Sequence, residues 1–187
     1  MQTRFPSQAL PSAAVTLVAA AVLTAAVPAL AQPVPAPQVA ARAWMLTDVT
    51  SGQVLGGGNM DERIEPASLT KLMTAYLAFE AVRDGKLKYD QMVTPTETVR
   101  SVKTDESRMF LQAGKPAAVR ELLQGLIVQS GNDAALVLAE AVGGTEANFV
   151  MLMNREAERL GMKNTHFMNA AGLPDPNHYT TRATCRS

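Results

Sequence analysis

The chain has 187 residues, 47% of them hydrophobic and 18% charged, and its 17 basic and 17 acidic side chains cancel. Such a composition supports a globular core and excludes a polyanion-binding protein, and 5% aromatics excludes a base-stacking platform for single-stranded nucleic acid. The single cysteine, Cys185, excludes an internal disulfide framework and a cysteine metal site.

Residues 1–31 read as a signal peptide. Arg4 is the only charge ahead of the apolar run from Ala13 to Val27, and Ala29-Leu30-Ala31 places small residues where a signal peptidase reads. The chain is therefore expected to be exported, to the periplasm or another extracytoplasmic space. Residues 32–41, with Pro33, Pro35 and Pro37, read as an extended linker.

A single domain is expected over residues 42–181. Trp44 to Asp48 and Gln53 to Leu55 read as two strands around a turn at Thr50-Ser51-Gly52, with Gly56-Gly57-Gly58 as a flexible end of the hairpin. The spacing predicts a helix from Ser68 to about Arg83, burying Leu72, Ala75, Tyr76 and Phe79 and stopped by Asp84-Gly85. Met92-Val93-Thr94 reads as a short strand, and Thr96 to Ser107 as a polar loop without period. A second helix is predicted from Val119 to Gln129, with Leu122, Leu123, Leu126 and Ile127 inward. A third follows from Asp133 to Val142, and Thr145 with Asn148 opens a fourth that ends near Leu160. Met162 to Asn177 is irregular. Two early strands before a helical lobe make the class α+β.

Two short motifs carry the chemistry. Ser68 and Lys71 stand three residues apart at a helix start, so hydroxyl and amine share one face. A serine hydroxyl is a weak nucleophile until a base takes its proton, and a lysine whose pKa is lowered by burial is such a base. The helix N-terminus adds backbone N–H groups suited to an oxyanion. Ser130-Gly131-Asn132 sits on a tight connection between two apolar helices, where a hydroxyl can relay a proton and a carboxamide can hold a carbonyl or the lysine. Taken alone, Ser68 also fits a helix N-cap and Asn132 a cap of the following helix.

Together, Pro66-Ala67-Ser68-Leu69-Thr70-Lys71-Leu72-Met73-Thr74 and Val128-Gln129-Ser130-Gly131-Asn132-Asp133-Ala134-Ala135 resemble the serine D-alanyl-D-alanine carboxypeptidases, the low-molecular-mass penicillin-binding proteins. Ser107 to Leu111, Gly161 to Phe167, Gly172-Leu173-Pro174 and His178-Tyr179 look like segments of the same family, so the resemblance runs from about Arg42 to Thr181. It implies a β-lactamase/transpeptidase-like fold, a helical lobe packed on an incomplete antiparallel sheet. It implies that Ser68 attacks the terminal D-alanyl-D-alanine carbonyl of peptidoglycan stem peptides and forms an acyl-enzyme that water hydrolyses. Lys71 is then the general base, Ser130 the proton relay to the leaving amine, and Asn132 the group that positions substrate and lysine. Beta-lactam antibiotics would acylate the same serine, with no metal or cofactor.

The family's third motif, Lys-Thr-Gly on an inner strand after Ser-Gly-Asn, has no counterpart. Lys103-Thr104-Asp105 lacks the glycine and precedes Ser130. Later strands and the membrane-attaching end found in many members are expected to be absent from this chain as well. Arg182 to Ser187 reads as a divergent tail: removing one base from codons for Ala-Arg-Asp-Met-Ser-Leu yields Arg-Ala-Thr-Cys-Arg-Ser. The chain is thus expected to be C-terminally truncated, poorly stable and nearly inactive. Three further functions compete with the carboxypeptidase. A class A beta-lactamase shares the Ser-x-x-Lys logic but carries Asp where Gly131 stands. A related murein endopeptidase would use the same residues, and a non-catalytic wall-binding module would need only part of the site. His166 and His178 read as loop-packing side chains, and the ten methionines as core filler.

Overall fold

A computed structural model describes residues 37–182. The expected signal peptide, residues 32–36 of the Pro-rich linker and the tail from residue 183, Cys185 included, lie outside the described residues.

Strands β1 (Trp44–Thr47) and β2 (Val54–Gly58) form an antiparallel hairpin with Trp44 opposite Gly58 and Met45 opposite Gly57. Asp48 closes its turn by accepting the amides of Thr50 (2.7 Å) and Ser51 (3.0 Å). The glycine triplet expected as a flexible end is in fact part of β2. Ladder bonds need no side chain, and a Cβ on Gly58 would sit 2.8 Å from the Trp44 indole nitrogen. A second two-stranded antiparallel sheet pairs β3 (Met92–Val93) with β4 (Ala117–Ala118).

Four helices make the lobe: α1 (Thr70–Arg83), α2 (Val119–Val128), α3 (Asn132–Gly143) and α4 (Glu146–Arg159). The expected cap at Thr145 is present, its hydroxyl accepting the Asn148 amide at 3.2 Å. Helix α3 packs against the other three, as its Ala-rich composition allows. Leu122, Leu126, Leu138, Phe149 and Met153 form the sealed centre, each at most 1% exposed. Truncating Phe149 to alanine there would cost about 3–5 kcal/mol.

Three expectations about these elements are corrected. Ser68 lies in a 3₁₀ turn over Ala67–Leu69, and the α-helix proper begins at Thr70. Leu72 and Phe79 are 65% and 41% exposed, and Ile127 is 56% exposed. Helix α1 buries Ala75 as expected, but with it Thr70, Lys71, Met73, Thr74, Leu77, Ala78 and Ala81, because polar partners across the lobe meet its polar side chains. The Thr96–Ser107 stretch, expected to be loop throughout, contains a 3₁₀ helix at Glu97–Ser101 that is capped by Thr96.

The last described segment returns to the start of α1 through two antiparallel bridges, Ile64 with Thr180 and His166 with Tyr179. The first holds the strand-like residues just ahead of Pro66 by paired backbone bonds of 2.9 Å. Among the described residues no single helix is long and apolar enough to cross a membrane.

Candidate active site

The backbone is bent at both motifs. Ala67, directly before Ser68, has φ +47°, and Ser130 has φ +55°, a left-handed conformation that costs a non-glycine residue about 1 kcal/mol. At Ser130 this turn lets the Gly125 carbonyl, at the end of α2, accept both the Gln129 and Gly131 amides (3.2 and 3.1 Å). The chain then re-enters a helix at once, and the Ser130 side chain is left at the mouth of the connection.

The result is a three-atom array. Lys71 Nζ lies 3.3 Å from Ser68 Oγ, and Ser130 Oγ donates to Ser68 Oγ at 3.1 Å. Ser68 is exposed while Lys71 is only 6% exposed. The amine also donates to the Ala171 carbonyl at 2.8 Å. That carbonyl is held in place by Asn169, whose side-chain oxygen accepts the amides of Ala171, Gly172 and Leu173 (3.2, 2.7 and 2.9 Å). Burial pushes the Lys71 amine below its ordinary value of 10.5, with the negative charge of Glu106 pulling the other way. An amine whose charged form is disfavoured, one turn from an exposed hydroxyl, can take that hydroxyl's proton.

Around these atoms lies an open cleft of about 370 Å³, lined by Ser68, Leu69, Lys71, Leu72, Ile127 and Ser130 among others. Its walls are mostly apolar, so a polar ligand there is oriented by few groups.

Asn132 is the fourth expected site residue, and it heads α3 without acting as its cap. Its Nδ2 donates to Glu106 Oε2 at 2.7 Å, and its backbone N–H donates to the Ser107 carbonyl at 2.8 Å. Glu106, Asn132, Asn169 and Ala171 share the wall of a small cavity of about 100 Å³. Asn132 thus shares a cavity wall with Ala171, whose carbonyl takes the Lys71 amine.

Sequence reasoning passes over several residues that hold this geometry. Asp133 is 1% exposed, and its carboxylate accepts the amides of Met109, Leu111 and Ala134, each at 2.9 Å. It fastens the 106–111 segment to the start of α3. Thr74 donates to the Ala170 carbonyl at 2.7 Å, and Thr70 meets His178 at 2.8 Å. Glu106 carries no signal in an aperiodic polar stretch. Asp133, an acid in the first turn of an otherwise apolar helix, carries one. His166 is elsewhere, bonded through Nδ1 to the Asn177 carbonyl. Among the described residues no group of three or more His, Cys, Asp or Glu could hold a metal ion.

A helical lobe with an exposed serine, a buried lysine one turn on and a second serine in reach matches solved penicillin-binding proteins, and the fold is theirs. Penicillin-binding protein 5 of Haemophilus influenzae superimposes with a TM-score of 0.78 at 42% identity, over 81% of this chain and 44% of that one. Penicillin-binding protein D2 of Listeria monocytogenes, solved in its ampicillin-bound form, gives 0.68 at 31% identity, over 80% of this chain and 60% of that one. The family model described as peptidase S11, D-alanyl-D-alanine carboxypeptidase, matches residues 30–185, and the chain belongs to that family. Among curated relatives, the D-alanyl-D-alanine carboxypeptidase DacC of Escherichia coli is 44% identical over 152 residues, which is 79% of this chain and 38% of the relative. The chain therefore spans well under half the length of the curated relatives it matches first.

Proposed function

We propose that this chain carries the acylation centre of a serine D-alanyl-D-alanine carboxypeptidase that acts on peptidoglycan stem peptides after export. The observation that supports this most is the triangle of Ser68, Lys71 and Ser130, with Ser68 Oγ 3.3 Å from the amine and 3.1 Å from the second hydroxyl.

In this reading neutral Lys71 takes the Ser68 proton as Ser68 Oγ forms a bond to the carbonyl carbon of the penultimate D-alanine. The C–N bond to the terminal D-alanine then breaks. The proton passes from Lys71 through the Ser130 hydroxyl to the leaving amine nitrogen, so the amine departs neutral. Water hydrolyses the resulting ester and returns the centre to its starting state. Asn132 orients the peptide through its carboxamide. A beta-lactam ring carbonyl meets the same Ser68, and its opened ring stays attached as the acyl group. An apolar N-terminal run with Ala29 and Ala31 at the cleavage positions supports export.

Two assays on one preparation test this reading. The full chain is incubated with a fluorescent penicillin and the adduct located by mass, and D-alanine release is followed from a diacylated peptide ending in D-Ala-D-Ala. A stoichiometric adduct on Ser68, absent in Ser68→Ala, supports the acylation centre, and D-alanine release completes the carboxypeptidase reading. Absence of any Ser68 adduct in folded protein overturns it.

A further inference from the structure

We propose that Glu106 is a positioning residue of this centre: its carboxylate commits the nitrogen end of the Asn132 carboxamide and places a negative charge in the small cavity whose wall includes Ala171, the residue that accepts the Lys71 amine. The inference deepens the acylation reading and rests on it for its functional meaning.

The geometry begins with the 2.7 Å bond from Asn132 Nδ2 to Glu106 Oε2. A carboxylate only accepts hydrogen bonds, so it selects the –NH₂ end of the amide and leaves Oδ1 as the acceptor end for an incoming N–H. A neutral partner at position 106 would bond either end and lose that selection. The neighbouring Ser107 carbonyl accepts the Asn132 backbone N–H at 2.8 Å, so main chain and side chain are gripped by adjacent residues. Glu106 and Asn132 line the same cavity of about 100 Å³ as Ala171, whose carbonyl takes the Lys71 amine.

The other titratable groups on the packed elements are already engaged. Asp133, on α3, is occupied by the Met109, Leu111 and Ala134 amides. Glu146, at the start of α4, lines the same cavity and accepts the Ala170 amide at 3.0 Å. His178, on the returning segment, is bonded to Thr70 and accepts the Met168 amide. Glu106 is also the charged neighbour whose field opposes the effect of burial on the Lys71 amine. One side chain therefore links two duties: it orients the carboxamide and it sets how readily the base gives up its proton.

Two variants of the full chain separate these duties, Glu106→Gln and Glu106→Ala. Lysine-labelled NMR follows the Lys71 ε-methylene, assigned by its loss in Lys71→Arg, as pH is raised. Both variants are expected to lower the Lys71 midpoint by about one pH unit, since each removes the opposing charge. The Asn132 side-chain amide protons are expected to shift strongly in Glu106→Ala and partly in Glu106→Gln. Fluorescent-penicillin acylation, read well above both midpoints, is expected to fall about tenfold in Glu106→Ala and less in Glu106→Gln, which keeps a hydrogen-bonding partner. A Lys71 midpoint unmoved in Glu106→Gln overturns the proposal, as does an unchanged Asn132 amide in a folded Glu106→Ala. Should the parent chain show no acylation, the acylation reading fails, while the two NMR readouts still decide the placement of Glu106.

Discussion

Thr70 Oγ1 and His178 Nε2 lie 2.8 Å apart, joining residues separated by 108 positions in sequence. The imidazole's other nitrogen accepts the Met168 amide at 3.0 Å, so the neutral ring carries its hydrogen on Nε2 and donates it to Thr70. Thr70 is the residue before Lys71, and the contact ties the first turn of α1 to the end of the described chain.

This contact has a pH signature. Burial holds the His178 pKa below its ordinary 6.5, with Asp175 and Glu65 opposing and His166 assisting. A depressed value in the folded state means that the unfolded chain binds the proton more readily. The associated stability is present above pH 6.5 and is lost as pH falls through the lowered value. Melting temperatures of the parent chain and His178→Gln, measured from about pH 7.5 to 5, should converge as pH falls. Parallel curves would remove His178 as the titrating group.

Lys71 is expected to be costly to the fold and essential to the chemistry. Its pKa is lowered by burial, so at neutral pH the buried amine detracts from stability. Lys71→Met should lose acylation by about 10³-fold or more without a drop in melting temperature. Acylation by the parent chain should rise with pH through a midpoint below 10.5. A stopped-flow rate profile checks both, and a rate that is flat with pH or a variant that still reacts would discredit the base assignment.

Ser130 should matter in proportion to the leaving group's need for a proton. Ser130→Ala is expected to slow D-alanine release from a peptide by about 100-fold. Loss from a thioester analogue, whose leaving group departs as an anion, should be far smaller. Equal losses on both substrates would reassign Ser130 to a structural role.

Asp133 should behave as a structural anchor. Asp133→Ala strands the Met109 and Leu111 amides and is expected to cost about 3 kcal/mol. Asp133→Asn should not rescue it, because both carboxylate oxygens accept amides and an –NH₂ would face one or more donors. Urea unfolding of the two variants decides the point.

The site is more legible in the sequence than the packing that holds it. Ser68, Lys71 and Ser130 announce themselves because the proposed chemistry constrains spacing and residue type, and the structure brings Lys71 and Ser130 within 3.3 Å of the Ser68 hydroxyl. Helix α1 defeats a periodicity reading for a physical reason. Its inward face carries Thr70, Lys71 and Thr74 beside Met73 and Leu77; the three polar side chains are each satisfied by a partner about 100 residues away, and hydrophobic periodicity gives them no weight. Leu72 and Phe79 lie on the opposite side and are largely exposed. Glu106 shows the other limit: one acid in a polar stretch acquires meaning only when folding sets it beside Asn132.

Gly172 has φ +83°, and a Cβ placed on it would overlap the Ala67 carbonyl oxygen. The main chain beside Ser68 is therefore shaped by a missing atom. In a library of every single substitution, position 172 should admit one amino acid while its exposed neighbour Leu173 accepts many. Even a methyl group would lever Ala67 aside and carry Ser68 out of register with Lys71.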